Sequence, residues 1–319
     1  MEASDASGTG LMARDGKGWD WERVDAVDPK LRQCLPPIRG PDEAVGPLLS
    51  GIAATLGVPD DVVVAPGGGD NAMAALGIGA VDPGTVVMSL GTSGTLFGPS
   101  NELVEDPSGV ICPFADATGQ WLPLLCTINC AGALQQVRSS YGLDLDQALK
   151  AASAEPAGTE GVSFLPFFGG ERTPNWPHAT GTILGLRNGQ MRPGLVLRAA
   201  MEGITFLLAD GLEELRGRGL APRELRLVGG AARSALWRQI IADVVQLPVL
   251  LPIEAEAAAL GAVLQAAAVH EGSSVRGYVR RHAFEFEGDV VRPNPSLAKV
   301  YDEARARNRR YGRLLFEAS

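Results

Sequence analysis

One aspartate, Asp70, follows the glycine run Gly67-Gly68-Gly69, which itself comes directly after the β-branched run Val62-Val63-Val64-Ala65. A carboxylate presented at the end of a strand can act as a general base on the hydroxyl of a bound substrate. Asp70 also opens an Ala-rich helical pattern that runs to about Ile78, and aspartate is a favoured helix cap. The residues alone leave both roles open.

Two turns of small residues could bind a phosphorylated ligand. In Gly91-Thr92-Ser93-Gly94, between two β runs, backbone N–H groups and hydroxyls can approach phosphate oxygens closely. In Gly229-Gly230-Ala231-Ala232-Arg233-Ser234, a strand leads into a helix, so the backbone can lie flat against a base or ribose. The second turn is not the Gly-x-Gly-x-x-Gly fingerprint, because the later glycines are missing. The first turn could also be an ordinary hairpin turn, and the second an ordinary βα turn.

The apolar pattern predicts the elements that position these residues. Two β runs, Thr85–Leu90 and Thr95–Phe97, predict a hairpin around the first turn. Further predicted elements are helices at 131–141, 192–216, 234–245, 255–268 and 297–316, and strands at 162–167, 224–228 and 249–251. The C-terminal alternation of strands and helices is typical of an α/β fold with a parallel sheet. The first 60 residues or so, rich in Asp, Gly and Pro, do not predict a domain of their own.

Composition narrows the class of protein. The chain has 319 residues, of which 45% are hydrophobic, and a formal net charge of −9. This charge argues against non-specific binding to nucleic acid or anionic membranes. No apolar run reaches the ~20 residues of a membrane span, and the N-terminus lacks a signal pattern. The four cysteines form no CxxC pair, which favours free thiols in a reducing cytoplasm and indicates no metal ligands.

Other charged residues are interpreted without a catalytic role. Glu171-Arg172, in the loop Gly169–Pro174, predict an ion pair that pins the loop. The three histidines are scattered along the chain and are interpreted as structural or solvated. The basic stretch Arg305–Arg310 predicts a solvated helix face.

Taken in chain order, the motifs resemble those of one family. The motifs are Gly67–Ala72, Ser89–Gly94, Leu165–Pro174, Gly181–Glu202 and Val228–Arg238. This order and spacing is similar to the second half of the FGGY-type carbohydrate kinases, and within that family it is most similar to the xylulokinases. The resemblance covers essentially the whole chain and favours the functional interpretation of both turns and of Asp70.

The resemblance implies an actin-like, ribonuclease-H-like ATPase fold, with two α/β domains around a cleft, and ATP with Mg²⁺ as cofactors. It implies that Asp70 is the general base on the sugar hydroxyl and that Asn71 lies beside the sugar. By the same resemblance, Gly91 and Thr92 belong to a phosphate loop, whereas Gln135, Gly229, Gly230 and Ser234 contact adenosine. It assigns no metal ligand in this chain.

The chain departs from the family pattern in several places. The Gly-Ile-Asp-x-Gly-Thr loop that begins the family's first domain is absent, as is most of the sugar-binding domain. We therefore expect residues 1–50 to be the closing segment of that domain, with Asp5–Gly10 matching its last strand region, and residues 51–319 to be the nucleotide-binding FGGY domain. Ala231 stands where the family has a third glycine, and Leu195 where a polar residue is typical.

The expected activity is ATP-dependent phosphorylation of D-xylulose to D-xylulose 5-phosphate. Because sugar selectivity resides largely in the first domain, another sugar or polyol kinase of the family is the first alternative. A catalytically silent nucleotide-binding or interaction fragment is the second. The expected partners are the sugar and ATP, with a homodimer left open.

Overall fold

The computed structural model describes residues 1–317. Through the first hairpin, the elements are α1 Ala3–Ser7, α2 Trp21–Val27, β1 Gly46–Pro47, α3 Ser50–Leu56, β2 Val63–Val64, α4 Asp70–Gly77, β3 Thr85–Leu90 and β4 Gly94–Phe97. There follow β5 Cys112–Ala115, β6 Trp121–Thr127, α5 Ala131–Ser140, α6 Leu145–Ser153, β7 Ser163–Leu165, β8 Thr182–Leu184 and α7 Pro193–Gly217. The last are β9 Glu224–Val228, α8 Ala235–Val245, β10 Val249–Leu250, α9 Ala257–Glu271, α10 Val275–Arg281 and α11 Ala298–Phe316.

A six-stranded sheet of order β10-β9-β3-β4-β6-β5 forms the centre of the fold. Strands β10, β9 and β3 pair in parallel, which confirms the parallel sheet expected from the C-terminal alternation. Strands β3, β4, β6 and β5 pair antiparallel, and the predicted hairpin of β3 and β4 is confirmed. The predicted helices that fall on α4, α5, α7, α8, α9 and α11 are confirmed as well.

Helices cover both faces of this sheet because successive side chains of a strand point to opposite faces. On β3, Val86, Met88 and Leu90 join the core that contains α5, α7 and α8. Val87, between them, packs into the core on the other face with α4, α9 and α10. The long helix α7 lies almost entirely inside the first core, which explains its nearly continuous apolar sequence.

The apolar pattern of the sequence does not predict two strands of the main sheet, β5 and β6. Each strand contains a proline, and Pro113 lies opposite Pro123 in the ladder. Proline has no N–H to donate and is therefore a signal against a strand. Several short helices were also not predicted, among them α2 and α3. Two others are α6, which begins with a capping box of Asp144 and Gln147, and α10, which Ser274 caps.

Several predictions near the N-terminus need correction. Residues 5–7 of the expected strand region Asp5–Gly10 lie in α1, because the Glu2 side chain accepts a hydrogen bond from the Ser4 N–H and caps a helix. The strand predicted at Val62–Ala65 is confirmed as β2, but it pairs with β1 outside the main sheet. The predicted strand at 162–167 is confirmed as β7, which pairs only with β8. No helix within residues 1–317 is long and apolar enough to cross a membrane.

Candidate functional site

The two small-residue turns follow neighbouring strands and therefore lie side by side. Ser89 near the end of β3 pairs with Val228 at the end of β9, and the two strands are parallel. Carboxyl ends of parallel strands meet at one edge of a sheet, where ligands of open α/β sheets bind. The approach is close: a Cβ built on Gly229 would lie 2.8 Å from the carbonyl oxygen of Leu90. The structure thus brings Gly91 and Thr92 next to Gly229 and Gly230.

The start of α5 holds the hairpin turn from behind. The Ala131 N–H donates to the Gly91 carbonyl at 2.9 Å, and the N–H groups of Cys130 and Gly132 donate to the Thr92 carbonyl at 3.1 and 3.2 Å. A Cβ on Gly132 would lie 2.8 Å from the Thr92 methyl carbon, so only glycine permits this approach. These bonds use the carbonyls, and Thr92 is an exposed residue, so its hydroxyl is not needed to hold the turn.

The βα turn is exposed at Gly229 and Gly230, and its far end is anchored. Ser234 is half-buried and caps α8, because its hydroxyl oxygen accepts a hydrogen bond from the Trp237 N–H at 3.3 Å. The Trp237 indole in turn donates to the Thr205 hydroxyl on α7 at 3.0 Å. The turn that carries the proposed adenosine contacts is therefore tied to the central helix.

Gln135 is exposed and lies one helical turn after the start of α5. It shares this helix with the residues that support the Gly91-Thr92 turn. Gln135 and Gly132 are three residues apart and therefore lie on the same face of α5.

Asp70 is the first residue of α4, and its carboxylate is exposed. The cap of α4 is Gly69, and no side chain caps the helix, so the alternative that Asp70 is the cap is wrong. Its Oδ1 instead accepts hydrogen bonds from the backbone and side-chain nitrogens of Asn71, at 2.7 and 3.0 Å. These bonds orient one oxygen of the carboxylate and couple Asn71 to it.

The loop before Asp70 is held from two distant parts of the chain. The Gly69 N–H donates to the Ser4 hydroxyl at 2.9 Å, and the Ser4 N–H donates to Glu2 at 2.8 Å. On the other side, the Gln265 side-chain amide exchanges two hydrogen bonds with the Gly67 backbone, at 2.9 and 2.8 Å. Burial raises the pKa of the Glu2 carboxyl to about 7. We did not predict these three supporting residues, because no local motif links positions so far apart in the sequence.

Asp70 and the two turns belong to different layers. Helix α4 packs against α9 on one face of the sheet, whereas α5 and α8 pack on the other. Within residues 1–317 no hydrogen bond or ion pair joins Asp70 or Asn71 to the glycine turns. The chain thus presents the proposed base and the proposed nucleotide turns as two separate groups.

The predicted ion pair of Glu171 and Arg172 is wrong. Among the described residues, the Arg172 guanidinium contacts the Cys112 sulfur at 3.3 Å. The Glu171 side chain is buried and accepts hydrogen bonds from backbone N–H groups, including that of Arg172 at 2.7 Å. Buried carboxylates are retained where such donors compensate for lost water, and backbone donors do so here.

Gly229→Ala is expected to lower the free energy of unfolding by about 2–4 kcal/mol, because the substitution causes both backbone strain and overpacking. Gly229 has φ +90°, which L side chains avoid, and the new Cβ would meet Leu90. The matched control is Gly230→Ala, since nothing lies within 4 Å of its Cβ. Urea titration of both variants checks the prediction. Equal stability of the two would contradict the close packing of the turns.

Comparison with known proteins places these features in one family. The model of the FGGY family of carbohydrate kinases, C-terminal domain, matches residues 86–270, and that of the N-terminal domain matches residues 1–77. The boundary expected at residue 50 stays a prediction. A xylulose kinase of Streptomyces coelicolor is 41% identical over 284 residues, and one of Haemophilus influenzae is 35% identical over 305 residues.

Comparison with solved structures identifies the same kind of relative as comparison with sequences. The chain superposes on a xylulose kinase from Bifidobacterium adolescentis with a TM-score of 0.83 at 33% identity, covering 97% of this chain and 62% of that one. A kinase from Brucella ovis, described as a xyloylose kinase, gives a TM-score of 0.91 at 29% identity, with 98% and 64% covered. The expected α/β, actin-like ATPase fold of the sugar kinases is thereby confirmed.

The fraction of each sequence that is matched shows how much of each relative this chain covers. The matches cover 88% of this chain and 56% of the Streptomyces coelicolor protein, and 95% of this chain and 62% of the Haemophilus influenzae protein. The chain therefore spans just over half of the length of these curated relatives. Since the C-terminal domain model alone matches more than half of the residues and the N-terminal model precedes it in order, the chain belongs to the FGGY family of carbohydrate kinases.

Proposed function

We propose that this chain supplies the nucleotide-binding lobe and the general base of an ATP-dependent sugar kinase, with D-xylulose as the substrate and D-xylulose 5-phosphate as the product. The observation that carries the proposal is the contact between two glycine turns at the carboxyl ends of β3 and β9. The similarity to several xylulose kinases supports the choice of sugar.

In the proposed reaction, the sugar hydroxyl oxygen attacks the γ-phosphorus of ATP, the bond to the β-phosphate oxygen breaks, and ADP leaves. Asp70 takes the proton of the attacking hydroxyl, while Asn71 orients the carboxylate and lies beside the sugar. Gly91 and Thr92 donate hydrogen bonds to phosphate oxygens. Phosphoryl transfer needs this positioning and charge stabilisation more than covalent chemistry.

Adenosine is proposed to lie against Gly229 and Gly230, where the lack of side chains lets a planar base approach the backbone. Ser234 would act there by fixing the start of α8, since its hydroxyl already caps that helix. Gln135 would reach the same ligand from α5. The donors that Gly91-Thr92 and Gly229-Gly230 offer are backbone N–H groups and one hydroxyl, and such donors can bind an anionic ligand.

The residues also fit Mg²⁺ that arrives with the nucleotide. Within residues 1–317 no group of three or more His, Cys, Asp or Glu could hold a metal ion on its own. Mg²⁺ is commonly bound by one or two carboxylates together with substrate phosphates, so the phosphates of the nucleotide would supply most of its ligands here. When bound, Mg²⁺ would neutralise charge that develops on the phosphates.

ADP binding by the chain tests the proposed nucleotide site. We expect calorimetry with ADP and Mg²⁺ to detect binding at millimolar ADP, and Thr92→Val to raise Kd about fivefold, the equivalent of one hydrogen bond of ~1 kcal/mol. Thr55→Val is the matched control, because Thr55 is also exposed but lies on α3. Absence of heat and of any shift in Tm with the unmodified chain would refute nucleotide binding.

One observation favours the alternative of an interaction protein. Exposed apolar side chains concentrate in and around α3, β1 and β2, namely Val45, Leu49, Ile52, Leu56, Val58, Val62, Val63 and Val64. Contiguous exposed apolar surface marks sites of contact with other protein surfaces. In the kinase proposal this surface meets the remainder of the sugar-binding domain. In the alternative it binds another protein, and nucleotide binding occurs without sugar phosphorylation.

Localisation and assembly are also proposals. The four cysteines are unpaired in the structure, which supports a protein of the reducing cytoplasm. A homodimer is compatible with the same exposed apolar surface.

A further inference from the structure

Glu171 lies in the loop between β7 and β8 and is 1% exposed. Both of its carboxylate oxygens accept hydrogen bonds. Oε1 accepts from the N–H of Ile128 at 2.6 Å and from that of Arg172 at 2.7 Å. Oε2 accepts from the backbone N–H of Asn129 at 3.2 Å and from its side-chain amide at 2.9 Å. The carboxylate thus fastens its own loop to residues 128–129.

Residues 128–129 connect the end of β6 to the start of α5. The next three residues along the chain, Cys130, Ala131 and Gly132, are those whose N–H groups donate to the carbonyls of Gly91 and Thr92. A continuous path of hydrogen bonds therefore runs from Glu171, through the start of α5, to the hairpin turn.

Among the described residues, no side chain caps the start of α5. Cys130 occupies the cap position of α5 with φ −144° and ψ −122°, and no side chain makes a cap hydrogen bond there. The N–H groups at a helix start need acceptors. The carbonyls of Gly91 and Thr92 meet this need for residues 130–132, and Glu171 fixes the two residues that precede them. Asn129 is held further because its amide donates to the Gly170 carbonyl at 2.8 Å.

We propose that Glu171 is a positioning residue for the phosphate turn Gly91-Thr92. It contacts no ligand itself and acts by holding the start of α5, which fixes the carbonyls and so the orientation of the turn. This inference rests on the proposed nucleotide site. It predicts that Glu171 contributes to the affinity for the phosphates of a nucleotide and not to the affinity for adenosine, which is assigned to the βα turn.

Glu171→Gln tests the proposal, because one carboxylate oxygen becomes an NH₂ group that faces N–H donors. In calorimetry on the chain we expect the Kd for ADP to rise by about tenfold, as for loss of a well-aligned hydrogen bond, while the Kd for adenosine stays within about twofold. The matched control is Glu202→Gln. Glu202 is also buried, at 2% exposure, but it pairs with Arg198 and accepts from the Gly158 N–H, away from α5.

The control separates positioning from general stability. Glu202→Gln is expected to lower Tm and to leave the ratio of the two affinities as in the unmodified chain. If Glu171→Gln lowers Tm and leaves the Kd for ADP unchanged, the proposal is overturned. An equal loss of ADP and adenosine affinity overturns it too, since the whole lobe would then be affected.

Asn129→Ala provides a second variant in case Glu171→Gln does not fold. It is expected to raise the Kd for ADP by a smaller factor and to leave the Kd for adenosine within about twofold. Hydrogen exchange adds a measurement that needs no ligand. In either variant the N–H groups of residues 130–132 should exchange at least about tenfold faster, because their local opening becomes easier. Unchanged protection there overturns the proposal. A lack of ADP binding by the unmodified chain refutes instead the nucleotide site, and the exchange result then decides the role of Glu171.

Discussion

Asp70→Asn is expected to lower kcat for D-xylulose by about 10²–10⁴-fold, the usual contribution of a general base. The experiment uses a chimera in which the preceding part of the Streptomyces coelicolor xylulose kinase, 41% identical to this chain over 284 residues, is joined to residues 1–319. Asparagine keeps the size of the side chain and its contact with Asn71, but it cannot accept the proton. ADP release in a coupled assay measures kcat.

Folding should hardly change in the Asp70→Asn variant. Asp70 does not cap α4, and its recorded hydrogen bonds are the two from Asn71. Exposed substitutions without such a structural role usually change stability by less than about 0.5 kcal/mol. Asp61→Asn is the matched control, since Asp61 is also exposed and precedes β2 in the sequence, and its kcat should equal that of the unmodified chimera. If Asp70→Asn retained full kcat, Asp70 would not be the base.

Residues 1–319 without the preceding part of a relative are expected to show a sugar-dependent kcat at least about 10⁵-fold below that of the chimera. Productive orientation of two reactants contributes ~7–11 kcal/mol to lowering a barrier. In the described part of the chain, residues 1–317, no hydrogen bond or ion pair joins Asp70 or Asn71 to the glycine turns, so their relative orientation is not fixed by direct contact. The same coupled assay, with xylulose and ATP, measures the difference.

A folding control accompanies that comparison. The chain should show the Tm and ADP binding of a folded lobe, so that low turnover is not a sign of unfolding. Supplying the preceding part of the relative as a separate polypeptide should restore some turnover, by covering the exposed apolar residues around α3. Robust phosphorylation of xylulose by residues 1–319 alone would contradict the expectation and would show that the sugar pocket is complete within them.

The alternation of apolar residues determined most of the α/β core in advance. Helix α7 and strands β3 and β9 follow from their own sequences, because period and length are local properties. Strands β5 and β6 do not, since Pro113 and Pro123 contradict a strand locally. Strand β6 forms because Leu122, Leu124 and Leu125 are buried between the helices of the two faces, and burial outweighs the local preference. Strand β5 pairs with it at the edge of the sheet, where proline is tolerated.

The candidate functional residues also follow partly from the sequence and partly from the tertiary structure. The sequence by itself determined the residue types, an aspartate after three glycines and two turns of small residues, and their order identified the family. Only the tertiary structure decided that Gly229 touches Leu90 and that Glu2, Ser4 and Gln265 hold the Asp70 loop. It also decided that Glu171 accepts from backbone N–H groups rather than from the Arg172 guanidinium. The physical reason is the separation in sequence between the residues that interact. Turns, caps and periodicity depend on neighbours in the chain, whereas a buried carboxylate finds its donors among residues that folding alone brings within hydrogen-bonding distance.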